Sequence, residues 1–208
     1  MVATCGQARV ASTSFTIQFP MARGKKAETN GIEWKPRGYN RVAFYPGNDS
    51  NQAPVVIEQE VKGTVVRNFL HGREDKKYGY GLHVEIGVED TARIKGVIAT
   101  DHLSTTRPQY KWPVSEHDNV ARFTAKVEQV HVDYASVWDG RSGKPCGSTA
   151  PVQERTGLSV ELLTIGSTVL VEYTFAGYNI ESGEGNVGCS LKLKSVWLVE
   201  DASEGFVF

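Results

Sequence analysis

The sequence predicts an all-β protein built on a small closed barrel, and three observations predict it. Apolar residues alternate with polar ones through Gly166 to Glu200, a turn-rich stretch divides that region into two strands, and a glycine interrupts the long alternating run from Val55 to Leu70. In the first of these regions Val169, Val171, Tyr173 and Phe175 fall at every second position, while Thr168, Glu172 and Thr174 take alternate positions, as in a half-buried strand. The run Tyr178 to Asn186 supplies Gly183, Gly185, Asn179 and Asn186, residues that tolerate the positive backbone angles of a loop. The following strand sets Leu191 and Leu193 on one face and Lys192 and Lys194 on the other, and Ser195 marks a change of phase before Val196-Trp197-Leu198-Val199. In the Val55 to Leu70 run, Val61, Gly63 and Val65 occupy the centre, and Gly63 lets the strand bend sharply enough to serve both sides of a barrel closure.

The remaining elements follow in chain order. Arg9 to Phe19 alternates through Phe15, Ile17 and Phe19 and stops at Pro20. Phe44 to Pro54 reads as a turn-rich linker. After the loop His71 to Lys77, one strand is expected over Tyr78 to Ile86 and another over Ala92 to Thr100. The segment Asp101 to Asn119 has no clean period and contains two prolines, Pro108 and Pro113, so it is an inserted loop. Val120 to Trp138 is a long strand region with a bulge after Val127, and Asp139 to Gly147 is a loop or hairpin tip. Three meandering strands, an irregular insertion and two more strands have the number and order of a five-stranded OB-type Greek-key barrel.

Several stretches set rings beside cations, the combination that single-stranded nucleic acid requires: cations neutralise phosphates and rings stack on unpaired bases. Residues 23–41 carry Lys25, Lys26, Trp34, Lys35, Arg37 and Tyr39 against two acids, Glu28 and Glu33; a solvated loop with Trp34 packed on the domain is the plainer reading. Lys76, Lys77, Tyr78 and Tyr80 form a second cluster, in which the glycines flanking Tyr80 leave room for a base. Its alternative is an aromatic pair packed across strands. Arg93 and Lys95 extend the track along the neighbouring strand, and Tyr110, Lys111 and Trp112 stand in the inserted loop, either facing DNA or plugging the barrel. Tyr178, Lys192 and Lys194 complete the set. These rings and cations are expected to converge on one groove once the barrel closes.

The closing region also resembles known proteins. The order Gly166-x-x-Val169-x-Val171, an aromatic strand, Tyr178-Asn179, then Gly188-Cys189-Ser190-Leu191-x-Leu193-x-x-Val196-x-Leu198-x-Glu200 is similar to the last strands of OB-fold single-stranded-DNA-binding proteins of bacteriophages and large DNA viruses. The ending, with Glu200, Asp201, Glu204, Phe206 and Phe208, resembles the acidic, aromatic-terminated segments with which such proteins recruit replication partners. The resemblance implies a non-enzymatic protein that coats and protects single-stranded DNA in replication or recombination.

Composition bounds the alternatives. Net charge is −1, and without the three acids of residues 200–208 the body has 23 basic against 21 acidic residues, so charge distribution matters more than its sum. The three cysteines, Cys5, Cys146 and Cys189, are odd in number and widely spaced, which argues for a reducing, intracellular setting, host cytoplasm or nucleus in a viral case, and against secretion. No apolar run has the length of a membrane span. The five histidines are scattered without zinc-site spacing, and the P-loop and nucleophile-elbow patterns are missing, so neither metal, cofactor nor catalytic residue is assigned. The expected organisation is an N-terminal strand and basic, aromatic extension over 1–53, an OB-fold domain over 54–199 and an acidic tail over 200–208. Expected partners are single-stranded DNA, with RNA left open, replication proteins at the tail, and a second copy through an exposed strand such as Arg9 to Phe19, forming a homodimer or filament. A β-sandwich structural protein of a virion or other assembly suits near-neutral charge and long alternating strands equally well.

Overall fold

The long alternating run forms β3 (Glu58–Asn68), and its two halves serve different neighbours. Residues Glu58–Thr64 pair with β7 (Thr168–Ile180), Gly63–Asn68 pair with β4 (Gly81–Ile86), and the handover falls at Gly63 and Thr64. A Cβ on Gly63 would run into the Glu85 carbonyl oxygen and stand 2.6 Å from Val84 Cγ1, so the bend is open to glycine alone. Strand β4 continues to β5 (Val120–Ala125), β5 pairs in parallel with β8 (Asn186–Glu200), and β8 returns antiparallel to β7. The ring β3-β4-β5-β8-β7 is closed, with the strand order of an OB-type Greek-key barrel. A two-sheet sandwich does not have this closure.

These relations come from a computed structural model that describes residues 32–36, 42–46, 56–70, 80–99, 112–115, 117–125, 136–180 and 186–205. Inward positions of the ring strands supply one core, including Val61, Val65, Leu82, Val84, Phe123, Val171, Tyr173, Leu191 and Leu198. Each such side chain contributes about 1.5–3 kcal/mol on full burial. Three further strands extend the sheet. β6 (Ser136–Asp139) lies parallel to β8, and β1 (Ile32–Pro36) pairs with β2 (Val42–Pro46), which reaches β7 through Val42 opposite Gly177. Phe44, Tyr45 and Pro46 therefore belong to a strand rather than to a linker.

The phase change at Ser195 is a bulge. Glu172 faces Ser195 but Tyr173 faces Leu193, which leaves Lys194 unopposed and lets Ser195, Val196, Trp197 and Leu198 all be buried. At this point β5 gives way to β6 along one edge of β8. The hairpin is longer than its loop residues suggest: Tyr178, Asn179 and Ile180 pair with Gly188, Val187 and Asn186.

One expectation is overturned outright. Residues 92–100 do not form a strand; α1 (Val88–Ala99) occupies this stretch. Buried Thr91, Ile94 and Val97 recur every third residue, the first-turn acids Glu89 and Asp90 favour the positive end of the helix dipole, and the Thr91 amide donates to Gly87. Of the expected strand Val120 to Trp138, β5 and β6 form the two ends, while residues 126–135 and the expected strand Arg9 to Phe19 lie outside the described residues.

Candidate nucleic-acid interface

Outward side chains of β3, β4 and β5 form three rows across the sheet. The middle row is Arg67, His83 and Arg122, directly in register on adjacent strands. A bulge at Val66 creates it: Val65 faces Val84 and Arg67 faces His83, so the extra residue turns Arg67 from the inner face to the outer. On one side lie Thr64, Glu85 and Val120. On the other side Phe69, whose amide donates to the Gly81 carbonyl, is followed by Gly81 and Thr124, and the row continues to Lys192 on β8. A Cβ on Gly81 would approach the Phe123 carbonyl oxygen to 2.8 Å, and without one the floor beside the half-buried Phe69 ring stays flat. Phe69 meets His83 edge to face, with ring centroids 5.5 Å apart.

Ser115 and residues 117–119 stand at one side of these rows and complete an open groove of about 620 Å³, lined by Arg67, His83, Glu85, His117, Asp118 and Arg122 among others. Arg67, Arg122 and Glu85 are exposed, and none of their charged groups has an ion pair or hydrogen bond to a described residue. The groove thus offers two free guanidiniums, planar donors suited to phosphate, a free carboxylate, and the half-buried imidazole of His83.

The other outer half of the barrel is covered. Residues 140–165 lie across β3, β7 and β8: Ser148 donates to Glu60 Oε2 from both its amide (3.3 Å) and hydroxyl (3.5 Å), and a Cβ on Gly147 would stand 2.8 Å from Leu170. The Arg155 guanidinium lies 5.4 Å from the Trp197 ring centroid and 6.0 Å from that of Trp138. Ser195 and the Trp197 indole both donate to Glu172 Oε2. Burial pushes the Cys146 thiol above its ordinary pKa. Asp139 anchors the start of this segment, accepting from Arg141 Nε at 2.9 Å and Lys144 Nζ at 2.6 Å.

The residues singled out in the sequence are distributed differently. Tyr80 and Trp112 are half-buried and pack against the core, and Lys95 of α1 lies 5.9 Å over the Trp112 ring, so these two meet each other and neither lines the groove. Arg93 and Lys95 share a helix, not a strand face. Arg93 donates to Asp90, to Gln59 Oε1 at 3.2 Å and to the Glu60 carbonyl at 3.1 Å, which ties α1 to the start of β3. Gln59 Oε1 also accepts from the buried Tyr173 hydroxyl at 3.0 Å, and burial holds that phenol neutral by raising its pKa. Lys194 pairs with Glu58 at 2.8 Å, whereas Lys192 makes no ion pair with a described residue. Tyr178 stands in β7, half-buried, its phenol pKa raised by desolvation. Trp34 and Lys35 lie in β1, Trp34 in register with Phe44.

At the C-terminus Glu200 closes β8 and accepts from Thr168 at 3.0 Å, while Asp201 caps the turn Ala202–Gly205 by accepting from the Ser203 amide and hydroxyl, bonds that lower its pKa. Glu204 falls in that turn. Lys25, Lys26, Arg37, Tyr39, Lys76, Lys77, Tyr78, Tyr110, Lys111, Phe206 and Phe208 lie outside the described residues. Arg67, His83 and Arg122, which define the groove, escape the sequence reading because they stand singly among apolar neighbours and only the register brings them together.

No protein-family model matches the chain, and no curated protein matches its sequence. Among solved structures the chain is similar to gp2.5, a single-stranded DNA binding protein encoded by bacteriophage T7, at 17% identity over 71% of this chain and 88% of that one, with a TM-score of 0.38.

Proposed function

We propose that this protein binds single-stranded DNA along the β3–β4–β5 groove, without catalysis, and coats it during replication or recombination. The observation that carries the reading is the row Arg67–His83–Arg122, which sets two exposed guanidiniums without a partner among the described residues on a face of the barrel that the segment 140–165 does not cover. In the proposed complex Arg67, Arg122 and Lys192 take successive phosphates, and a base stacks on Phe69 beside Gly81. Glu200 and Asp201 are engaged within the fold, so recruitment of a protein partner is assigned to Glu204, Phe206 and Phe208.

Fluorescence anisotropy with a labelled oligonucleotide tests this. The protein should prefer single strands to duplex, and Arg67→Ala or Arg122→Ala should each weaken binding about fivefold to tenfold, as expected for one solvent-exposed contact. Unchanged affinity in the double variant would remove the groove from the proposal.

A further inference from the structure

Glu85 is the feature of the groove that phosphate binding does not use. Its neighbours on either strand are Thr64 and Val120, and it stands one row from the two guanidiniums, exposed, with no partner among the described residues. A free carboxylate at this position repels a phosphate backbone, so the polyanion gains only if a base, not a phosphate, lies over this row. An ionised carboxylate accepts hydrogen bonds and donates none. Cytosine, adenine and guanine carry an exocyclic amine that can donate to it; thymine has no such amine, and its single N3–H lies between two carbonyl oxygens that repel a carboxylate.

Resting on the single-stranded-DNA reading of this groove, we infer that Glu85 reads bases: it accepts from the exocyclic amine of a base whose phosphates are held by Arg67 and Arg122, so that the groove favours amino-bearing bases and disfavours thymine. The placement suits that role. Glu85 belongs to β4, a strand paired on both sides at this residue, which holds its backbone more exactly than a loop would. Thr64 and Val120 flank it without charge, and Asp118, whose carboxylate accepts from Ser115 Oγ at 3.5 Å, faces the same groove as a second acceptor.

The test compares labelled oligo-dC and oligo-dT, both unstructured pyrimidine strands at mildly alkaline pH, on the wild-type protein and on Glu85→Gln and Arg122→Ala. The wild type should bind oligo-dC about fivefold to tenfold more tightly, the net worth of one solvent-exposed hydrogen bond. Glu85→Gln should bring the ratio close to one, chiefly by tightening oligo-dT, because the repulsion is gone and the amide can donate to a thymine carbonyl. Arg122→Ala should weaken both strands and keep the ratio. Equal binding of the two strands by the wild type, or a ratio unmoved by Glu85→Gln, overturns the inference while leaving salt-sensitive, Arg122-dependent binding as evidence for the groove itself. If neither strand binds in a salt-sensitive way, the single-stranded-DNA reading falls as well, and this inference with it.

Discussion

Asp139 shows how much one side chain can organise. Its carboxylate is almost wholly buried at the end of β6, where it accepts from the Arg141 amide and guanidinium and from the Lys144 ammonium. Those partners, Arg141 first, hold it far below the usual carboxylate range. A depressed folded-state pKa stabilises the protein above the unfolded value of about 4 and loses that contribution as pH falls towards the folded one. Asp139→Asn should therefore cost about 1.5–3 kcal/mol at neutral pH, and urea melts over a pH series should show the gap to wild type closing in acid. A gap independent of pH would mean that shape, not charge, is what this site supplies. Arg67 makes the opposite point about legibility. Strict alternation from Val61 through Gly63 and Val65 assigns it to the inner face, and only the bulge at Val66 brings it out. Nothing in a string of Val-Val-Arg announces which residue will be the extra one.

Elements are legible where one period dominates. β7 and β8 stand out because valines, leucines and rings alternate over many residues, and even the phase change at Ser195 is visible before its cause. α1 is not, because a twelve-residue helix with Gly96 inside it and apolar residues at irregular intervals satisfies a strand pattern nearly as well. The C-terminal turn illustrates how an element can absorb residues that composition assigns to a tail. The Ala202 amide donates to Ser167 Oγ at 3.3 Å, and a Cβ on Gly166 would stand 3.3 Å from the Ala202 methyl. Removing residues 200–208 should lower the melting temperature by several degrees more than removing 206–208 does, about 1 kcal/mol or more for the lost bonds. Thermal denaturation of the two truncations decides between a packed turn and a free acidic arm.

Across the whole molecule, a net charge of −1 conceals a polarised surface. Closing the ring gives the outer sheet two halves; over one of them the segment 140–165 engages Glu60 and sets Arg155 against the indoles, while Ser195 and Trp197 of β8 donate to Glu172. Arg67, Arg122 and Lys192 remain on the other. Three phosphate contacts predict a slope of about −2 in log affinity against log salt for a single strand. A titration series giving a slope near zero would exclude phosphate neutralisation as the source of binding, and salt-insensitive self-association in its place would favour an assembly protein. The barrel itself is readable from strand count and order, whereas the groove is not: it exists only as a relation between strands, and rings such as Tyr80 and Trp112 that look available in the chain are drawn towards the core by the same hydrophobic effect that closes the barrel.

The stacked guanidinium and indoles carry a practical corollary. Trp138 and Trp197, with centroids 6.2 Å apart, lie against Arg155 of the covering segment and are not among the residues that line the groove. Their emission and near-ultraviolet dichroism should act as a built-in gauge of whether this covering segment is seated, blind to whatever occupies the groove. An optical change on adding oligonucleotide would then originate in Trp34 or Trp112, and a silent titration would not mean an empty protein.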